Sequence, residues 1–178
     1  MSGTYNPRQA NKGRVLEELI EYQNQIYRTK HIANIQKIST PWQVIRRGKS
    51  IVSAFPLEKS TLDFRGTIRG AIPVSFDAKE SEDARGLPLQ YIKRHQIDYI
   101  RLALELGEIS FILCHIKPID AYCIIPGKTV LAYWDRWMDN KGKRGFNFIP
   151  VEAMDRIARS HSPLDYACAL LKEKEEIS

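Results

Sequence analysis

The chain has little cysteine and no long apolar stretch. Its 178 residues include three cysteines, Cys114, Cys123 and Cys168. An odd number of thiols in apolar segments is typical of reduced core residues and argues against a disulfide framework. The polar N-terminus lacks a region that a secretion system would recognise, and no later run approaches membrane-spanning length. These absences predict a soluble cytoplasmic protein with no membrane partner.

The composition is that of an ordinary globular protein. Hydrophobic residues make up 43% of the chain and charged residues 27%, which is more apolar material than a disordered chain carries. The length predicts one domain over residues 13–178, preceded by a flexible arm over residues 1–12. A net charge of +6 favours a polyanionic partner such as nucleic acid.

Hydrophobic periodicity predicts an order of one helix, several strands, a second helix and further strands. A helix runs from Asn11 to a basic end at Lys30, and a second is marked from Leu89 to Leu106 and closed by Gly107. The predicted strands lie in HIANIQKI, PWQVIRR, SIVSAF, GAIPVSFDAKES, ISFILCHI and AYCII. Two more helices are predicted around VEAMDRIARS and PLDYACALLKEKEE, with a short aromatic segment, TVLAYWDRWMDN, before them.

Two acids and a lysine form the motif that carries chemistry. Asp63 is followed, after a turn, by Asp77-Ala78-Lys79 on the clearest amphipathic strand of the chain. Side chains at i and i+2 of a strand share a face, so the Asp77 carboxylate and the Lys79 ammonium project into the same space. Asp63, on a neighbouring strand, can reach them. For an isolated match the alternative is a surface ion pair.

Neighbouring carboxylates repel each other, and a divalent cation relieves that repulsion. Mg²⁺ prefers a few carboxylate oxygens together with water and substrate phosphate. A metal-bound water is acidic enough to supply an attacking hydroxide, and Lys79 would hold the water and the phosphate. The motif therefore predicts metal-dependent phosphodiester hydrolysis.

Two further polar residues are candidates for the same site. Gln96 interrupts the apolar stripe of the second helix, where a desolvated amide needs partners, so it should point toward the acids. The alternative is that it only caps a strand edge. Glu17 lies at the border of the apolar face of the first helix and could add a third carboxylate. An ordinary exposed glutamate is the alternative there.

Segments along nearly the whole chain resemble the RecU family. They are NKGRVLEELIEYQNQIY, TPWQV, STLDFRG, DAKES, LPLQYIKRHQIDYI, and YWDR followed by KGKRG. The resemblance implies a Holliday junction resolvase of bacterial recombination and repair. It also implies a restriction-endonuclease-like α/β fold, a mixed central sheet flanked by helices with a protruding stalk-like β segment. The implied cofactor is Mg²⁺, for which Mn²⁺ can substitute. The implied partners are four-way junction DNA, a second copy in a homodimer and a recombinase of the RecA type.

Carried over by position, the resemblance assigns five site residues. It implies catalytic and metal-binding roles for Asp63, Asp77, Gln96 and Glu17, and a catalytic role for Lys79. The chain departs from the usual pattern in having Asp77 where Glu is common, Leu62 where a polar residue precedes the first acid, and a shorter stalk.

Basic residues are the candidate DNA contacts. The stalk-like segment over residues 39–57 would enter the centre of the junction. An ordinary charged hairpin is the alternative for that segment, and a frayed terminus is the alternative for the arm. The candidates for nucleic-acid binding are Arg46, Arg47 and Lys49 in the stalk, Arg14 at the arm, and Arg65, Lys93 and Arg94 near the acids.

Two other functions stay open at this point. One is a non-catalytic protein that binds junctions or modulates a recombinase, although the complete set of acids and lysine argues against it. The other is a restriction or repair nuclease of the PD-(D/E)xK superfamily, in which the resemblance places the RecU family, acting on ordinary duplex DNA. A cell-wall role, suggested by an older label for the family, has no support because nothing here resembles a serine acyl-transfer site.

Overall fold

The computed structural model describes residues 14–39, 42–56, 61–140, 143, 145–157 and 164–177. The predicted arm over residues 1–12 lies outside them. The helices are α1 Arg14–Thr29, α2 Arg94–Glu105, α3 Gly127–Asp139 and α4 Tyr166–Ile177. The strands are β1 Ala33–Lys37, β2 Trp42–Arg47, β3 Ser50–Pro56, β4 Phe64–Ile68, β5 Ile72–Ser81, β6 Gly86–Pro88, β7 Ile109–Ile116, β8 Ala121–Pro126, β9 Phe148–Pro150 and β10 Asp155–Arg156.

Six of these strands form the central sheet, in the order β1-β4-β5-β7-β8-β10. The β5–β7 pair is parallel, and α2 provides its crossover connection. The other neighbouring pairs in this sheet are antiparallel. The predicted mixed sheet flanked by helices is therefore confirmed.

Helices cover both faces of the sheet, and each face has its own apolar core. One core joins α1 and α4 to the strands, with the rings of Phe64, Phe76 and Phe111 stacked at centroid distances of 5.0 and 4.7 Å. The other core joins α2 and α3 to β7 and β8. Because strand side chains alternate between faces, Phe76 lies on the α1 side and Asp77 on the opposite side.

The segment predicted to be a stalk forms a hairpin. Among the strands that the structure describes, β2 and β3 pair only with each other, and the pairing runs from Trp42–Pro56 to Arg47–Ser50. Every described side chain of the two strands is exposed. A two-stranded ribbon with no covering layer matches the expected stalk-like β segment.

One predicted helix and one predicted helix start are wrong. The described part of VEAMDRIARS, residues 151–157, contains no α-helix, because Val151–Ala153 forms a single 3-10 turn and Asp155–Arg156 then pairs with β8. The second helix begins at Arg94 rather than Leu89, since Ile92 and Lys93 have extended backbones. In both places, hydrogen bonds to distant backbone override the local helical pattern.

The cysteines and the aromatic segment can be compared with their predictions. None of the three cysteines forms a disulfide, and Cys114 and Cys123 are buried, as expected. The aromatic segment TVLAYWDRWMDN lies in α3. Over the part of the chain that the structure describes, no helix combines the length and apolarity needed to cross a membrane.

Candidate active site

The sheet brings the two acids of the motif together. Phe64 on β4 pairs with Phe76 on β5, so the next position of the same register sets Asp63 alongside Asp77. The backbone of Asp63 is held by the end of β1, because its carbonyl accepts a 2.7 Å hydrogen bond from the Ile38 N–H. The carboxyl group of Asp63 is close enough to that of Asp77 for its negative charge to raise the pKa of Asp77. Both are buried, Asp77 almost completely.

Lys79 and Gln96 complete the surroundings of Asp77. The Lys79 ammonium, two residues along β5, is paired with Oδ2 of Asp77. The Gln96 Nε2 group donates a 2.6 Å hydrogen bond to Oδ1. Four of the five predicted site residues, Asp63, Asp77, Lys79 and Gln96, therefore meet beside the carboxyl-terminal half of β5.

Gln96 connects the acids to the beginning of α2. Its Oε1 atom accepts a 2.9 Å hydrogen bond from the Lys93 backbone N–H, one of the amide groups that a helix start leaves without an intrahelical partner. Both ends of this buried amide are thus engaged. Gln96 therefore does more than cap a strand edge. Its oxygen accepts a hydrogen bond from the helix start, and its amide nitrogen donates to Asp77 and orients that carboxyl group.

The electrostatics of the site follow from its burial. Desolvation raises the pKa of Asp77 to about 7; the positive charge of Lys79 lowers it, and the negative charge of Asp63 raises it further. Without a cation, Asp77 therefore holds its proton up to a higher pH than an exposed aspartate does.

The donor set of the site fits a hard divalent cation. Two adjacent buried carboxyl groups that hold a proton with raised affinity would exchange it for a cation that neutralises both charges. The described residues contain no group of three His, Cys, Asp or Glu side chains suited to hold a metal. A cation at Asp63 and Asp77 would therefore complete its shell with water and substrate oxygens, as Mg²⁺ commonly does.

The structure does not bring Glu17 to the acids. Its Oε2 atom lies 2.9 Å from the Lys37 ammonium, which also contacts Glu21. Lys37 pairs with Phe64, and paired residues point to the same face, which here is the α1 side. Asp63 points to the opposite side of the sheet. Glu17 therefore belongs to a partly exposed ion-pair cluster between α1 and β1.

The basic candidates near the acids lie at two places. Arg65 follows Asp63 by two residues on the same face of β4, and its half-exposed guanidinium lies 3.7 Å from Oε2 of Glu108. Lys93 and Arg94 are exposed at the start of α2, where Arg94 donates to Asp98 at 3.0 Å. These three residues border the Asp77 side of the sheet.

The remaining basic candidates belong to the β2–β3 hairpin and to α1. Arg46, Arg47 and Lys49 are exposed at the turn of the β2–β3 hairpin. The side chain of Arg14, at the first position of α1, lies outside the described part of the chain.

The sequence interpretation missed one buried acid. Glu108 is 9% exposed, its Oε1 atom has no hydrogen-bond partner among the described residues, and its other oxygen faces Arg65. Beside it the Ser75 hydroxyl donates to the Ser110 hydroxyl at 3.2 Å. The one signal in the sequence was a charged residue placed directly before the mostly apolar strand β7. This signal is weak because strands often begin at a polar residue.

Known proteins resemble this chain along most of its length. The family model described as Recombination protein U matches residues 11–171. A Holliday junction resolvase RecU from Oenococcus oeni is 32% identical over 179 residues, which cover 94% of this chain and 88% of the relative. Proteins of the same name from Limosilactobacillus reuteri and Bacillus cereus are 33% and 30% identical over 141 residues, covering 76% of this chain and 68% and 69% of the relatives. The chain therefore belongs to the RecU family.

Proposed function

We propose that this protein is a Holliday junction resolvase, a metal-dependent endonuclease that makes paired, symmetric nicks in four-way DNA junctions. The observation that carries the proposal is the buried Asp63–Asp77 pair with Lys79 and Gln96 on Asp77. Membership of the RecU family and relatives named as resolvases support the same activity.

The cofactor we propose is Mg²⁺, with Mn²⁺ able to take its place. Asp63 and Asp77 would hold the cation, and when bound it would acidify a water molecule and offset charge on the phosphate. The two carboxyl groups suit a hard cation such as Mg²⁺ or Mn²⁺, and they give no nitrogen or sulfur ligand to a softer metal.

The protein side chains have separate tasks in this mechanism. Lys79 pairs with Asp77 in the free protein and would turn its ammonium to the scissile phosphate, where it stabilises the negative charge that develops during hydrolysis. Gln96 keeps the Asp77 carboxyl oriented, because its own amide is fixed at the start of α2. Arg65, on the same face as Asp63, is placed to hold a neighbouring phosphate.

A homodimer would match the symmetry of the substrate. Resolution of a four-way junction requires cuts in two strands related by an approximate two-fold axis, and a C2 dimer presents two identical sites in that relation. The exposed β2–β3 hairpin, with Arg46, Arg47 and Lys49, would contact DNA at the junction centre. A recombinase of the RecA type is proposed as a further partner.

Cleavage of a synthetic four-way junction tests the proposal. Wild type should make paired symmetric nicks only with Mg²⁺, and Asp77→Asn should lose at least about a thousandfold in rate while still binding the junction. The matched control is Asp135→Asn, since this exposed acid on α3 pairs with Arg101 and should cut normally. Linear duplex of the same sequence is measured in parallel.

Each other outcome rejects a part of the proposal. Equal cutting of duplex and junction would indicate a duplex nuclease. Tight junction binding without cutting by wild type would indicate a non-catalytic junction-binding protein. Normal cutting by Asp77→Asn would remove the assigned site.

A further inference from the structure

A basic cleft lies at the end of β4 opposite to the acids. It has a volume of about 480 Å³ and is formed by the end of α1, the start of β1 and the turn between β4 and β5. Its polar lining consists of Arg28, His31, Asn34, Thr67 and Arg69, and none of the described acidic side chains lines it. The cleft is separate from the Asp63–Asp77 site and has no part in the chemistry described above.

The positive charges of this cleft have no acidic partner. Within the described residues, neither Arg28, His31 nor Arg69 forms an ion pair, and all three are exposed. By contrast, Arg85 and Arg101 are paired with aspartates at 2.7 and 2.9 Å. Guanidinium groups left without carboxylates around one concavity give it a positive potential and a free set of planar donors for an anion.

The backbone holds the two halves of the cleft together. The Arg69 N–H donates a 2.8 Å hydrogen bond to the Ile32 carbonyl, which joins the β4–β5 turn to the segment that follows α1. His31 and Ile32 are in turn bonded to the carbonyls of Arg28 and Tyr27. The basic residues are therefore carried by backbone that is fixed before any ligand arrives.

A polar strip connects the cleft to the acids. Arg65 and Thr67 are alternate residues of β4 and share a face, and the same alternation is continued by Asp63, directly before the strand, and by Arg69, directly after it. Arg65, Thr67 and Arg69 are exposed. In the neighbouring strand β1, Gln36 pairs with Arg65 and Asn34 with Thr67, and both are exposed as well. The distance along the strand from Asp63 to Arg69 is about 20 Å.

We propose that this cleft is a second DNA-binding site, which holds a backbone phosphate of the duplex arm that leads away from the cut. The proposal rests on the proposed function, because the nuclease site defines which DNA lies along β4. A length of about 20 Å corresponds to roughly six base pairs at 3.4 Å each. Arg28 and Arg69 would grip that phosphate, and Thr67 and Asn34 would line the path to it.

Neutralising single phosphates identifies the contact. Four-way junctions carrying one methylphosphonate at successive positions are bound without divalent cation by wild type and by Arg69→Ala. For wild type, one substitution about five to seven nucleotides from the cut should weaken binding roughly three- to tenfold. Arg69→Ala should lose that sensitivity, and its slope of log affinity against log salt should fall by about one.

Two variants separate this effect from a general loss of charge. Arg101→Ala also removes one positive charge, but its guanidinium contacts Asp135 on α3, so its methylphosphonate profile and salt slope should match wild type. Arg69→Lys keeps the charge and should retain most of the salt slope. An identical methylphosphonate profile in wild type and Arg69→Ala would overturn the proposal.

The outcomes also distinguish this inference from the proposed function. If wild type cuts junctions and Arg69→Ala keeps the wild-type profile, the second site is rejected and the resolvase assignment stands. If wild type cuts no junction but shows an Arg69-dependent phosphate on linear duplex, the second site stands and the resolvase assignment falls. If wild type binds neither DNA, both are rejected.

Discussion

At the scale of single residues, Asp77 shows a conflict between stability and function. Its carboxyl is almost fully buried, and desolvation raises its pKa above the ordinary value of 3.8. The folded state then binds a proton more tightly than the unfolded state does. Stability is therefore greatest below the ordinary pKa and is lost as the pH rises through the folded pKa, as long as no cation is bound.

Replacing the charge should stabilise the metal-free protein. In EDTA, Asp77→Asn should exceed wild type in free energy of unfolding by about 1–3 kcal/mol at pH 8, and the difference should shrink at pH 5, where Asp77 is protonated. Denaturant unfolding at both pH values measures this. Mg²⁺ should then stabilise wild type and not the variant. If wild type were the more stable protein at pH 8 in EDTA, the raised pKa of Asp77 would be contradicted. Asp135→Asn is the control, and it should show no such gain in stability at pH 8.

At the scale of elements, the β2–β3 hairpin differs from the rest of the fold. Large apolar side chains that would normally be covered are open to solvent, with Trp42, Ile51 and Val52 each about 60% exposed. A two-stranded ribbon gains little stability alone, and apolar patches on a monomer often mark interaction sites. The basic turn at Arg46, Arg47 and Lys49 adds charge of the sign that DNA requires.

Removing the basic turn should reduce the preference for junctions. In a variant with Arg46, Arg47 and Lys49 all changed to Ala, the ratio of junction to duplex affinity should fall by at least about tenfold, because these side chains would contact phosphates only at a branched centre. The melting temperature should stay within a few degrees of wild type, since the turn is exposed. Binding titrations on both DNAs measure the ratio. An equal loss on junction and duplex would show that the hairpin contacts ordinary DNA.

At the scale of the whole molecule, one chain holds one pair of acids, whereas resolution needs two cuts. The central sheet supplies a single Asp63–Asp77 pair, and the net charge of +6 attracts DNA without selecting its shape. The homodimer proposed above would supply the second pair that symmetric cutting requires.

Mass measurement and subunit mixing test this assembly. Sedimentation should give a species of twice the chain mass of 20.5 kDa at concentrations that support paired cutting. Refolding wild type with excess Asp77→Asn should convert paired cuts to single nicks, because most dimers would then hold one active site. A monomeric mass under conditions that give paired nicks would reject the homodimer. The same mixing with excess Asp135→Asn should leave paired cutting intact.

Several features were predictable because they depend on local periodicity. The alternation along β5 already placed Asp77 and Lys79 on one face, and the polar break in the stripe of α2 singled out Gln96. The apolar run of β7 identified a strand buried on both sides. Spacing of two residues in a strand and of three to four in a helix is written in the sequence itself, so these side chains could be assigned to faces without a structure.

Other features were decided by contacts between residues far apart in the chain. Glu17 shares its helix face with core residues, yet the pairing of Lys37 with Phe64 places it across the sheet from Asp63. Pairing with β8 turned a helical pattern near Asp155 into an edge strand. The basic cleft brings Arg28 and Arg69 together because a backbone hydrogen bond joins the β4–β5 turn to the segment that follows α1. The sequence determined which face each residue occupies within its own element, and it pointed to Asp63, Asp77, Lys79 and Gln96 as candidates for one site. Only the tertiary structure decided which faces meet, because that depends on strand order and register, which no local pattern encodes.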